Sequence, residues 1–170
     1  MNDQPIALDP SDPQVRQVML EGMRQAFATT PIHSLLSIRL DTIDKGMARA
    51  SMPVAIEAFN STGNLHGGAI ATLIDVACGS AAATAGRFIP GLNHLVTADL
   101  HIRYLGRPHG DRIEAQANVV RAGRQMIVVD CGVTDRDGRL IASADFAGMV
   151  VEVRQPLEIA EGSSNDHPDL

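Results

Sequence analysis

The sequence predicts an α+β domain in which one antiparallel sheet of about six strands wraps a single long helix. Three observations carry that expectation. Short runs alternate apolar and polar residues with a period of two, as in "HLVTADLHIRYL". The stretch from about Gly67 to Ala85 lacks proline and is dense in Ala, Ile and Leu, as a buried helix requires. The order along the chain is helix, two strands, long helix, four strands, with short turns between most of them.

Length and composition agree with one domain. A chain of 170 residues can enclose one sizeable core. With 3% aromatic residues and no tryptophan, that core must be built from Val, Ile, Leu, Ala and Met. A net charge of −6 argues against a general nucleic-acid binder, whose footprint is a basic surface. The N-terminal stretch "MNDQPIALDPSDPQ" has neither the basic nor the apolar region of a secretion signal. No apolar run approaches the roughly 20 residues that span a bilayer. A cytoplasmic protein without membrane contact is expected.

Taken in order, residues 1–12 and 155–170 are rich in Pro, Asp, Ser, Asn and Gly and read as frayed ends, the latter an acidic tail. Ser11 to Ala28 reads as a helix, capped by Ser11 or Asp12, with Pro13 in its first turn and Val15, Val18, Met19 and Met23 at helical spacing. Pro31 ends it, so residues 1–34 form an N-terminal tail and helix ahead of a main domain at 35–154. "LLSIRLDTI" and "MARASMPV" read as two strands joined by a tight turn at "DKG". Ile70, Leu73, Ile74, Ala77 and Ala81 form the core stripe of the long helix, and its other small residues suggest burial nearly all round. In the strand that follows, strict alternation puts Val96, Ala98, Leu100, Ile102 and Tyr104 on one face. Thr97, Asp99, His101 and Arg103 fall on the other. Turns at Gly123 and "DRDG" separate the last strands, and the short connections favour an antiparallel meander.

One residue does not fit a purely structural helix. Asp75 is an acid among Ala71, Thr72, Cys78 and Gly79, with no Lys or Arg within a turn or two. Burying it unpaired costs several kcal/mol or keeps it protonated. It meets an arginine from elsewhere, sits on an exposed face, or lines a substrate channel. Upstream, Gly67 and Gly68 fall at the helix start, where the first amides have no internal acceptor and the macrodipole is positive. Such a donor stabilises the oxyanion of an attacked carbonyl by about 3–4 kcal/mol. Gly67 and Asp75 are eight residues apart, about 12 Å along one helix. If both act on one carbonyl, two antiparallel copies of the helix must lie side by side in a dimer.

Asn60, Gly63, His66, Gly67, Gly68 and Asp75 together resemble the signature of PaaI-type (phenylacetate-degradation-like) hotdog-fold acyl-CoA thioesterases. The resemblance covers roughly residues 35–152 and implies the hotdog fold. It implies hydrolysis of an acyl-CoA thioester with Asp75 as general base or nucleophile and the Gly67 amide on the carbonyl oxygen. By the same resemblance, Asn60 and His66 shape the loop and orient the carbonyl or water, and Thr97 helps position the water. Such proteins bind coenzyme A across a subunit interface, and Arg121, Arg124 and Arg87 are the candidates for its phosphates. A homodimer or homotetramer is implied, and no cofactor beyond the coenzyme A of the substrate. Two alternatives use the same fold: a non-catalytic acyl-CoA binder, against which Asp75 counts, and a hydratase or dehydratase, whose signature differs.

The other reactive residues read as structural. His94 and His101 face opposite ways on one strand, which spoils chelation. Cys78 and Cys131 fit no metal or redox spacing and read as small buried hydrophobes. Ser80 has no His–Asp pair at hand and no nucleophile elbow.

Overall fold

The long helix forms where the sequence places it, and the rest of the chain is arranged to hold it. The computed structural model describes residues 13–85, 88–89 and 93–152. The expected frayed ends, the cap at Ser11 or Asp12, and Arg87 lie outside the described residues. Among the described residues three α-helices, α1 (Pro13–Thr29), α2 (Pro31–Leu35) and α3 (Gly67–Ala85), accompany six strands. These are β1 (Arg39–Asp44), β2 (Met47–Pro53), β3 (Asn93–Tyr104), β4 (Arg112–Ala122), β5 (Met126–Asp135) and β6 (Leu140–Glu152). All neighbours are antiparallel, in the order β1-β2-β4-β5-β6-β3.

Helix α3 packs chiefly on β2 and β4. The faces those strands turn inward carry Ala48, Ala50, Ala115 and Ala117, all fully buried and paired across the ladder. Side chains this short let a helix backbone approach the sheet closely. Leu73, Ile74, Ile113, Ile127, Val129 and Phe146 then fill the remaining volume. Burying each such large side chain stabilises the fold by about 1.5–3 kcal/mol. The far end of α3 is tied down by Thr84. Its hydroxyl accepts from the Gly46 amide at 2.9 Å and lies 2.8 Å from the Asp44 carbonyl. The β1–β2 turn needs glycine there, since Gly46 takes φ +70°.

Several expectations need correction. The last four strands are not a simple meander: β3 leaves the neighbourhood of β4 and pairs with β6 at the opposite edge. Its connection, residues 105–111, contains Gly106, Pro108 and Gly110 and crosses the end of the sheet instead of turning back in a tight hairpin. Pro31 does not merely end a helix. It opens α2, in the first-turn position that proline favours, so the first strand starts at Arg39 and not at Leu35. Ser37, at φ 52°, closes that short helix in a left-handed conformation, with the Ile38 amide donating to the His33 carbonyl at 2.8 Å. In α1, Val18 is exposed while Met23 and Phe27 face the body of the protein; the side chains of Val15 and Met19 lie outside the description. Helix α3 is not buried all round either. Gly68 is exposed, and Ala71, Thr72, Asp75, Val76, Gly79 and Ser80 are only half-buried. By length and composition α3 is apolar enough to cross a bilayer, yet half of it is buried against this sheet.

The crossing segment is held by Asp135 at the end of β5. Its carboxylate accepts from the amides of His109, Asp137 and Arg139 at 3.0–3.1 Å, and Arg139 pairs with it at 3.5 Å. The His109 amide above all, then those of Arg139 and Asp137 and the Arg139 charge, hold this carboxyl below the ordinary aspartate range. A depressed carboxylate stabilises the fold above the unfolded value of about 3.9, and that contribution is lost as pH falls through the folded value. We predict that wild-type stability falls as pH drops below about 5, followed by urea unfolding at each pH, and that Asp135→Asn flattens this dependence. An equally steep dependence in the variant would show that other carboxylates carry it.

Candidate active site

The loop before α3 is built by its own side chains. Asn60 Oδ1 accepts from the Thr62 amide (2.9 Å), the Thr62 hydroxyl (2.7 Å) and the Asn64 amide (3.1 Å). Gly63 supplies φ +73° at the turn. Phe59 and Leu65 bridge across the loop, and the His66 amide donates to the Ala58 carbonyl at 2.7 Å. Asn60 therefore spends its carboxamide oxygen on the loop, which leaves only its NH2 group for anything else.

His66 then caps the helix. Its Nδ1 accepts from the Gly68 amide at 2.8 Å, and its carbonyl accepts from the amides of Ala69 (3.0 Å) and Ile70 (3.2 Å). Because Nδ1 is the acceptor, the neutral ring carries its proton on Nε2. A Cβ at position 68 would lie 2.9 Å from His66 Nδ1, so this cap requires glycine there. Among the described residues, three of the first four amides of α3 are thus satisfied and the Gly67 amide is left without a partner. The free donor at the positive end of the helix is Gly67, and Gly68 is excluded.

Two turns on, Asp75 is half-buried on the open face of α3. The Thr97 hydroxyl donates to its Oδ1 at 2.7 Å. Among the described residues no cation pairs with it, so the arginine-locked reading does not hold within one chain. Strict alternation had put Thr97 on the face opposite Leu100 and Tyr104. The register between β3 and β6 slips between Thr97 and Asp99, and this bulge turns Thr97 to the helix side together with Leu100, Ile102 and Tyr104. Val96, expected to face the helix, is instead exposed.

Asp75 and Thr97 open onto a cavity of about 430 Å3. Met23, Phe27 and His33 from α1 and α2 line it, facing Val76 and Gly79 of α3 and Leu95 of β3. His33 is pinned there: its Nδ1–H donates to the Phe27 carbonyl at 2.9 Å, and its ring lies on that of Phe27 with centroids 4.1 Å apart. The sequence names residues 1–34 as an N-terminal tail and helix and none of these side chains as part of a site. The apolar Met23 and Phe27 at helical spacing were the available signal.

Arg121 and Arg124 do not line this cavity. Both are exposed near the β4–β5 turn, and Arg124 borders a different hollow beside Asn93 and Glu152. Cys78 and Cys131 are both buried and free, close enough to share a hydrogen bond. That bond, burial and the charges of Asp75 and Asp130 push the Cys78 thiol far up, so it is not a nucleophile. Among the described residues no cluster of His, Cys, Asp and Glu could hold a metal ion.

A family model described as the thioesterase superfamily matches residues 62–142, which includes the His66 cap, Gly67, Asp75 and Thr97. A candidate esterase of Saccharolobus solfataricus is 32% identical over 113 residues, 66% of this chain and 78% of its own length. The chain belongs to the thioesterase superfamily. Two further likenesses bear on this thioesterase-superfamily protein. The medium/long-chain acyl-CoA thioesterase YigI of Salmonella typhimurium is 29% identical over 139 residues, covering 71% of this chain and 85% of that one. A thioesterase family protein from Silicibacter pomeroyi has the same architecture, with a TM-score of 0.71 at 28% identity, covering 79% of this chain and 98% of that one. The sheet wrapped on a central helix is the hotdog fold that the motif led us to expect.

The cap gives a direct stability test. His66→Ala removes the acceptor for the Gly68 amide and should cost about 1 kcal/mol in urea unfolding. His66→Asn, which offers a preferred capping oxygen, should recover most of that. Equal losses in both variants would mean that the imidazole contributes something other than the cap.

Proposed function

We propose that the protein hydrolyses an acyl-CoA thioester. The observation that carries this reading is the pairing on one helix of an N-terminal amide, at Gly67, with a carboxylate, at Asp75, the first without an acceptor and the second without a cation among the described residues. The first suits a carbonyl oxygen that becomes an oxyanion. The second suits activation of water, or direct attack.

In the general-base version, the thioester carbonyl oxygen sits on the Gly67 amide. Asp75, steered by the Thr97 hydroxyl, takes a proton from water as the water oxygen bonds to the carbonyl carbon. The tetrahedral oxyanion collapses, the C–S bond breaks, and the sulfur leaves with the electron pair as the coenzyme A thiolate. The proton held by Asp75 then returns to that sulfur or to solvent. In the nucleophilic version the carboxylate itself bonds to the carbon, the C–S bond breaks as the thiolate leaves with its electron pair, and water then cleaves the resulting anhydride to the free acid and the restored Asp75 carboxylate.

One chain does not bring the two groups to one carbon, since about 12 Å of helix separates them. A homodimer, alone or within a tetramer, supplies Gly67 from the partner subunit. The open face of α3, with its small residues, leaves room for that approach. The cavity beside Asp75 takes the acyl group, and its apolar lining suits an alkyl or aryl chain. Arg121 and Arg124, with Arg87, are the candidates for the coenzyme A phosphates. The name of the Salmonella relative supports the acyl-CoA class.

Asp75→Ala and Asp75→Asn should fold and assemble normally yet lose thiol release from acyl-CoA by at least about 100-fold in a thiol-trapping assay. Gly67→Pro deletes the amide hydrogen at a helix position that tolerates proline and should lower kcat by about 100–1,000-fold. Gly67→Ala keeps the hydrogen and serves as control for the added Cβ. Full turnover in Asp75→Asn would remove Asp75 from the chemistry, and equal losses in both Gly67 variants would assign the effect to crowding.

A further inference from the structure

We propose that Tyr104 is a positioning residue for turnover, holding the Gly67 amide in its working orientation; this rests on the thioesterase reading above. Two glycines in succession are the softest way to begin a helix, because each can rotate through conformations closed to other residues. Position 68 needs glycine, whereas position 67 admits a Cβ if the Tyr104 ring gives by a few tenths of an ångström. A Cβ at position 68 would strike the His66 ring, and one at position 67 would lie 3.3 Å from Tyr104 Cζ and 3.4 Å from its oxygen. The donor therefore sits at a pair of residues whose own backbone preferences do little to fix it.

Side chains restore the stiffness from both sides of one peptide group. The Tyr104 hydroxyl donates to the Gly67 carbonyl at 2.9 Å, and the Gly68 amide of that same peptide donates to His66 Nδ1 at 2.8 Å. With its C=O and N–H both held, the peptide between Gly67 and Gly68 cannot rock, and Gly67 cannot rotate its own amide away without breaking one bond. The ring of Tyr104 also covers the face of Gly67 where a side chain would stand. The three groups form one chain of donors, from the phenol through the peptide to the imidazole. Each bond in such a chain polarises the next, which leaves the Nε2–H of His66 as the terminal donor.

Strand β3 supplies this contact and the one at Asp75. Tyr104 near its end braces the helix start, and Thr97 steers the carboxylate. One strand thus sets both reacting elements of α3. Tyr104 is half exposed, at 52%, so its hydrogen bond is not a requirement of core packing.

The test is Tyr104→Phe, which keeps the ring against Gly67 and removes only the hydroxyl. Kinetics on an acyl-CoA should show kcat reduced about tenfold or more, with KM within about twofold. The urea midpoint and the oligomeric state by light scattering should match wild type. Hydrogen exchange at the Gly68 amide, read in protein labelled with 15N-glycine, should quicken in the variant. Unchanged kcat in an active wild-type background overturns the role of Tyr104 while leaving the thioesterase reading intact. A loss expressed in KM, or matched by loss of stability or assembly, also overturns it. A wild-type protein that releases no thiol from any acyl-CoA overturns the functional reading, and this inference with it.

Discussion

A helix advances only about 1.5 Å per residue, and that rise separates the two groups proposed to act on the thioester by about 12 Å. Gly67 and Asp75 share α3, so their spacing is rigid and no loop motion can close it. The fold seats that helix on one side and leaves it open along the other. The alanine-lined inner faces of β2 and β4 seat it, and Thr84 ties its far end to the first hairpin. The stripe from Ala71 to Ser80 is the half-buried face of the helix, and Asp75 lies on it.

Strand β3 is the second determinant. At the sheet edge it has a neighbour on one side only, and the slip between Thr97 and Asp99 costs it little pairing. In exchange the bulge turns a polar side chain toward the helix at the one place where the helix carries an acid. On either side of the bulge the strand addresses α3 with Leu95 and Thr97, then with Leu100, Ile102 and Tyr104. A regular strand could not have presented Thr97 and Tyr104 to the same face, because seven residues is an odd step.

Much of this was legible in the sequence, for identifiable reasons. The long helix was bounded correctly because glycine and histidine mark its start and its run of small apolar residues is unbroken by proline. The number of strands followed from alternation. The sheet order did not, since the 105–111 crossing and the pairing of β2 with β4 are long-range choices that leave no local trace. Thr97 was named as a site residue but assigned to the wrong face, because a bulge adds one residue without altering composition. A loop histidine bonding backbone was one reading of His66 from the sequence, and the specific cap on α3 was less legible because histidine is not among the usual capping residues. The cavity wall from α1 and α2 was missed because Phe27 and His33 meet across a helix break at Pro31 that reads as an ending.

The claim that organises the account is that one working site takes its acid from one chain and its amide from another. Mixed dimers test it most directly. Asp75→Ala and Gly67→Pro chains carrying different affinity tags are coexpressed, and the species bearing both tags is assayed for thiol release. Each variant alone lacks one of the two groups at every site. A mixed dimer holds one site with both groups intact, and the account predicts recovery of about half the wild-type activity per dimer. Mixed dimers as inactive as either parent would contradict it and place the whole site within a single chain.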